Sequence, residues 1–307
     1  MQKREYMCEV ITPMMTFDAE KSRLEIRATS IKGIMRYWWR ALNGHLPPEN
    51  LRKKEGEFFG ESGTKKSPLT IRTLQKPLTK IEKTKLFLHI QERTNVEKIC
   101  FPPKYCFKVI FHARENIELY DCLFKITLLL GGIGTRSRRG FGSVTIRNAA
   151  SRINSLPADA VGIERLLRKF YEEQRVDPPE IMVKDLTVNI SFNRNNSFPY
   201  IQKIEIGKQY DDAEQLLSRI AESSKKHKSI FTGFAGSYRI AEKSHNHSRR
   251  NKEIKLRFAS PIVVSAIEDE DQKLRPIITS LKTVVPPEID LKREKDMSGK
   301  FKEDILK

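Results

Sequence analysis

Lys32, Arg36 and Arg40 recur every four residues in SIKGIMRYWWRALNG (30–44), and Trp38 and Trp39 sit among them. At 100° per helical residue, Lys32, Arg36, Arg40 and Asn43 fall within an arc of about 80° with Trp39 beside them. Ile31, Ile34, Met35, Trp38 and Leu42 occupy a separate arc about 100° away. This geometry assigns Trp38 to a core and leaves Trp39 on a cationic face. Cations in a row track phosphates, and an exposed ring stacks on a base for roughly 1–3 kcal/mol, so the face suits single-stranded nucleic acid. Gly33 lets another backbone approach the first turn. The plainer alternative is a solvated basic face with Trp39 packed beneath a neighbouring loop.

A second cluster lies in GGIGTRSRRGFG (131–142). Gly131, Gly132, Gly134, Gly140 and Gly142 permit close backbone approach to a polyanion, and Arg136, Arg138 and Arg139 supply charge-assisted hydrogen bonds to phosphate. The segment is not a nucleotide fingerprint: GxxxxGK[ST] is absent, and Ser137 stands where GxGxxG needs its third glycine. Both clusters lie in stretches without acids, from Ile26 to Pro48 and from Cys122 to Ala158. Ordinary solvated surfaces mix the two signs. With 57 Lys and Arg against 39 Asp and Glu, the formal net charge is +18, and a polyanion is the expected partner.

The elements that must position these groups follow from periodicity and punctuation. Strands are predicted at 5–13, 68–74, 84–91, 105–114 and 143–148, and helices at 31–43 and 115–130. Strand, helix, strands, helix, strand is the order of a ferredoxin-like βαββαβ unit with insertions, here residues 1–150. Residues 151–180 read as a linker and a bridging helix at 160–174. Residues 181–307 hold strands at 185–192, 201–207, 253–269 and 275–285 around a helix at 211–224, then a loose charged tail at 288–307. Asp211, Asp212 and Glu214 are the acids of that helix's positive end.

The remaining chemistry is sparse. Cys8, Cys100, Cys106 and Cys122 form no CxxC pair, and His245 and His247 lack a third ligand at metal spacing, so neither metal nor cofactor is expected. No acidic cluster suggests a two-metal nuclease. The sequence shows no signal-peptide core and no apolar run of membrane-spanning length, so the expected place is the cytoplasm, away from membranes.

ITP (11–13), SIKGIMRYWWRAL, FFGES (58–62) and GGIGTRSRRGFGSV together resemble the RAMP superfamily of CRISPR-associated proteins, and within it the first-subunit family of type III-B Cmr effector complexes. The resemblance covers residues 9–62 and 125–147. It implies an α+β chain of two ferredoxin-like (RRM-like) domains. It also implies a non-catalytic subunit that helps hold guide RNA near its 3′ end, or target RNA, beside other Cmr subunits in antiviral defence. Position by position, Lys32, Arg36, Trp39 and Arg40 would belong to the RNA-facing helix, and Gly132, Gly134, Arg136, Arg138 and Arg139 to the glycine-rich loop. Some RAMP relatives cleave guide precursors without metal. The alternative is therefore a metal-independent endoribonuclease in which His45 moves the 2′-hydroxyl proton.

Overall fold

The computed structural model describes residues 1–85, 97–147, 156–242, 250–285, 289 and 295–307, the side chains of 234–257 excepted. In the first half, β1 (Gln2–Val10) buries Tyr6, Cys8 and Val10 on one face and leaves Glu5 and Met7 on the other, the period-2 pattern of a sheet covered on one side. It is followed by α1 (Ala28–Leu42), α2 (Pro48–Phe59), β2 (Leu69–Gln75), a short hairpin of β3 (Glu82–Lys85) and β4 (Glu97–Cys100), β5 (Cys106–Ala113), α3 (Ile117–Leu130) and β6 (Val144–Arg147). The main sheet has the order β2–β5–β1–β6 and is antiparallel throughout.

The second half begins with α4 (Ala160–Gln174), then β7 (Glu180–Lys184), β8 (Thr187–Ser191), β9 (Ile201–Ile206) and α5 (Ala213–Lys226). A hairpin of β10 (Phe234–Glu242) and β11 (Arg250–Phe258) precedes β12 (Ile262–Glu268), β13 (Leu274–Leu281) and α6 (Ser298–Leu306). Here the sheet order is β12–β13–β9–β8–β7. The trio β12–β13–β9 repeats the arrangement β2–β5–β1, with α5 and α6 in the chain positions of α1 and α3. The slot that β6 fills beside β1 is filled beside β9 by β8, a strand that precedes it in the chain.

One apolar core runs through both halves. It joins Tyr6, Trp38 and Phe111 to Val188, Ile204 and Ile277. α3 is buried almost all round because it lies between the two sheets, contacting β1, β6, β12 and β13. Ser265 Oγ donates to Leu129 O at 2.6 Å, and Arg147 pairs with Glu9 at 2.6 Å and also with Glu268, so polar contacts fasten the same seam.

Several expectations are corrected. Residues 48–59 form a helix for which the sequence offers no clear periodic signal, with Pro48 at its N-terminal position. The strand expected at 253–269 is two, separated at Ser260–Pro261. The tail expected to be loose carries α6, whose Phe301 and Ile305, four residues apart, are fully buried against α5 and β13. Asp212 caps α5, accepting from Gln215 N at 2.8 Å. The His245 and His247 pair, most of the strand expected at 84–91 and part of the linker at 152–159 lie outside the described residues.

α6 is also held by Asp304, which accepts from His227 Nε2 at 2.8 Å with Lys226 nearby. Burial alone would raise that carboxyl, but the His227 hydrogen bond and the Lys226 charge outweigh it and hold it below the ordinary value. A depressed carboxylate stabilises the fold above its unfolded pKa and loses that contribution as the pH falls through the folded one. Protection factors of the α6 amides, corrected for the intrinsic exchange rate, should therefore fall on acidification below about pH 4, and Asp304→Asn should remove most of that fall. Truncating Trp39 to Ala should cost about 3–5 kcal/mol in urea denaturation, the range for a large core aromatic.

Candidate nucleic-acid interface

The cationic arc of α1 faces protein. Glu55 of α2 is buried, and its Oε1 lies 2.6 Å from both Arg36 Nε and Arg40 Nη1. Arg36 also covers the Phe59 ring at 5.8 Å. Lys32 Nζ donates to Ser67 Oγ and to Leu69 O at 3.0 Å, and burial, followed by the Arg36 charge, lowers its pKa. Trp39 is 0% exposed, and its Nε1 donates to Gln174 Oε1 at 3.0 Å. The expectation of an exposed Trp39 is therefore overturned: its ring is core, and the stripe beside it is the contact face for α2 and β2.

The opposite side of α1 opens to solvent. Ser30, Gly33, Ile34 and Tyr37 line a cleft of about 260 Å3 whose other wall is Gly131, Gly132, Ser137, Arg138 and Val263. The helix and the glycine loop thus do meet, through a different helix face from the one its charges indicate. At Gly33 an added Cβ would find nothing within 4 Å, so this glycine leaves the cleft floor open. The first turn of α1 carries no acid, and Arg27 at the N-cap makes no side-chain cap, which leaves the positive end of the helix uncompensated.

The glycine loop is fixed by the protein's own backbone. Thr135 N donates to Met15 O at 2.8 Å, and at Gly134, with φ +97°, a Cβ would stand 2.3 Å from the same oxygen, so only glycine fits. Gly140 N donates to Val264 O at 2.8 Å and Val264 N to Arg138 O at 3.2 Å, which adds the loop to the β12 edge as a parallel bridge. Arg139 is the pin of this junction. It donates to Ser260 Oγ at 3.1 Å, Ile262 O at 3.2 Å and Thr232 O, and lies 5.2 Å above the Phe301 ring. Arg139 is thereby reassigned from free phosphate ligand to interdomain contact.

Arg138 remains in the cleft wall, and Arg136 lies two residues before it in the loop, 5.6 Å over the Phe141 ring. Arg138 donates to Ser260 O at 2.5 Å and sits 5.0 Å over the Tyr37 ring in the cleft wall. Arg136 Nε, like Arg27 Nε, is buried without a hydrogen-bond partner. Among the described residues no carboxylate pairs with Arg136, Arg138 or Arg139. Burial, then Arg136 and Arg138, press the Arg139 guanidinium down to about 10, and it stays charged at neutral pH. Three cations without an acid make this the place where an anion is most needed.

His45 lies beyond the far end of α1, stacked on Phe192 at 6.2 Å between centroids. Burial and Lys54 lower its pKa, so it is neutral at pH 7. Among the described residues there is no cluster of three or more His, Cys, Asp or Glu able to hold a metal, and no helix is long and apolar enough to cross a membrane.

A glycine–arginine loop docked on the opening helix of an antiparallel α+β unit is the setting of a family match: residues 7–145 fit the RAMP superfamily model. The chain is, more narrowly, homologous to the Cmr1 subunits of Pyrococcus furiosus. It is 29% identical to CRISPR system Cmr subunit Cmr1-1 over 150 residues, covering 42% of this chain and 43% of that protein. To Cmr1-2 it is 25% identical over 173 residues, covering 45% of this chain and 92% of the relative. The crystal structure of apo Cmr1 from Pyrococcus furiosus matches the fold over 99% of this chain and 96% of its own, with a TM-score of 0.61 at 21% identity. A chain of the type III-B Cmr-beta complex bound to cognate target RNA matches over 98% and 99%, with a TM-score of 0.55 at 14% identity.

The two loop arginines should separate in stability measurements. Arg139→Ala should lower the unfolding free energy by about 2–4 kcal/mol, because it strands buried acceptors of the second half, and Arg138→Ala by about 1 kcal/mol or less. Urea titration of both variants checks the difference.

Proposed function

We propose that the chain is a non-catalytic RNA-binding subunit of a type III-B CRISPR effector complex. It would be built of two ferredoxin-like units, 1–150 and 181–307, joined by a linker and bridging helix at 151–180, with β8 taking the place of a last strand in the second. The observation that carries the reading is the cleft between α1 and the glycine loop, where Arg138 stands over Tyr37 and no carboxylate among the described residues pairs with it. Homology to Cmr1 subunits and the fold shared with a chain of an RNA-bound Cmr complex support the class of partner.

Ser30, Gly33, Tyr37, Gly132 and Arg138 are the groups proposed to meet RNA, with Arg136 beside them. Lys32, Arg36, Trp39, Arg40, Gly134 and Arg139 act indirectly, by holding α1 and the loop in place. Contacts of this kind go to phosphate and sugar, which fix position without reading sequence, as a subunit serving many guides requires.

Binding of a labelled single-stranded RNA of about 20 nucleotides over a salt series tests the reading. The log–log slope should be near 0.7 per phosphate contacted, and Arg136→Ala/Arg138→Ala should weaken binding about tenfold or more and reduce the slope by one to two contacts. Unchanged affinity and slope in a folded double variant would sink it. Specific cleavage of repeat RNA by the wild type, lost in His45→Ala, would install the endoribonuclease in its place.

A further inference from the structure

Resting on that RNA-binding reading, we infer that the cleft is one end of a longer RNA groove, and that Arg194 and Lys282 of the second half hold the next phosphates of the same strand. The groove runs along the end of the second sheet. Arg138 reaches Ser260 O, and Leu281 N donates to Pro261 O at 2.9 Å. Lys282 N then donates to Tyr200 O at 2.8 Å. Ser260, Lys282 and Tyr200 therefore stand side by side on three adjacent strand ends, which spans about 10 Å at two interstrand spacings.

The other wall keeps pace. Five residues separate Tyr37 from the last residue of α1, Leu42, about 8 Å at the helical rise. The chain then turns through Gly44 to His45, which stacks on Phe192. Gly44 packs directly against the Tyr200 and Phe192 rings, and Asn196 Nδ2 donates to Gly44 O at 2.7 Å and Leu46 O at 2.8 Å. The end of α1 and the β8–β9 connection are thus locked together about 10 Å from the cleft.

The chemistry at this far end matches the near one. Lys282 Nζ lies 5.6 Å from the Tyr200 ring centroid and donates to Asn195 Oδ1 and Asn196 O, and no carboxylate among the described residues pairs with it. Arg194 is exposed at the tip of the same connection. The described segments that contribute to the groove are free of Asp and Glu: 26–48, 122–147, 186–204, 258–267 and 272–285. Five separate stretches that lack acids and converge on one groove make a surface complementary to a polyanion, with the partly exposed His45 and Phe192 rings at its far end as a stacking platform.

The test is binding of uridine RNAs of six and twelve nucleotides to the full chain, as wild type, Arg138→Ala, Arg194→Glu and Lys282→Gln. Arg138→Ala should weaken both RNAs. Arg194→Glu, a change at an exposed position, should weaken both RNAs about five- to tenfold and lower the salt slope by about 0.7, because the first few nucleotides of either already span the distance from the cleft. Lys282→Gln, which keeps a donor for the Asn195 and Asn196 oxygens, should act in the same direction. Wild-type dodecamer affinity in both second-half variants overturns the groove extension and leaves the cleft reading intact. Wild-type affinity for both RNAs in Arg138→Ala overturns the cleft reading itself.

Discussion

Arg139 ties the two halves at the point where the candidate site is built, and the kind of acceptor it uses decides what the site can do. Its guanidinium meets a hydroxyl and two carbonyl oxygens of the second half. Neutral acceptors solvate a cation without cancelling it. A carboxylate in the same place would hold the loop as firmly and remove the positive charge from the cleft. Two unit charges 4 Å apart interact by about 4 kcal/mol at an effective dielectric of 20, so keeping three arginines together with no acid carries a real cost. An anionic ligand relieves that cost on binding.

α1 shows the opposite choice. Glu55 holds Arg36 and Arg40 together with a single carboxylate and fixes α2 against the helix, so one of the two positive charges is neutralised within the protein. Lys32 is likewise turned to Ser67 and Leu69. The outcome is a division of labour between neighbouring segments: one basic cluster fastens the scaffold, and the other faces the opening.

The sequence carries the first cluster's spacing, the glycine loop and most of the main-chain elements, because each depends on neighbours within a few residues. It does not carry where Trp39 goes. That depends on Gln174, 135 positions away, which supplies the acceptor for its indole, and on Phe58 of a helix whose many charged residues hide its apolar side. α6 escapes for a similar reason: two buried residues, Phe301 and Ile305, anchor an otherwise charged segment, too few to mark a periodic pattern. Counting cations locates a basic surface in the sequence. Only the folded chain tells which cations have a carboxylate beside them.

A site assembled from two halves works only if the halves hold their relation. Here α3 is packed between both sheets, and the main core passes from Trp38 and Phe111 to Val188 and Ile277 without a break. Rotating one half against the other would open that core, so the cleft is held in one shape by the packing beneath it. Preorganisation of this kind lowers the ordering cost of association, which matters most for contacts that gain nothing from base identity. On the proposed reading, the continuous core is thus what would allow a few arginines on a glycine loop to hold a backbone whose sequence changes from one guide to the next.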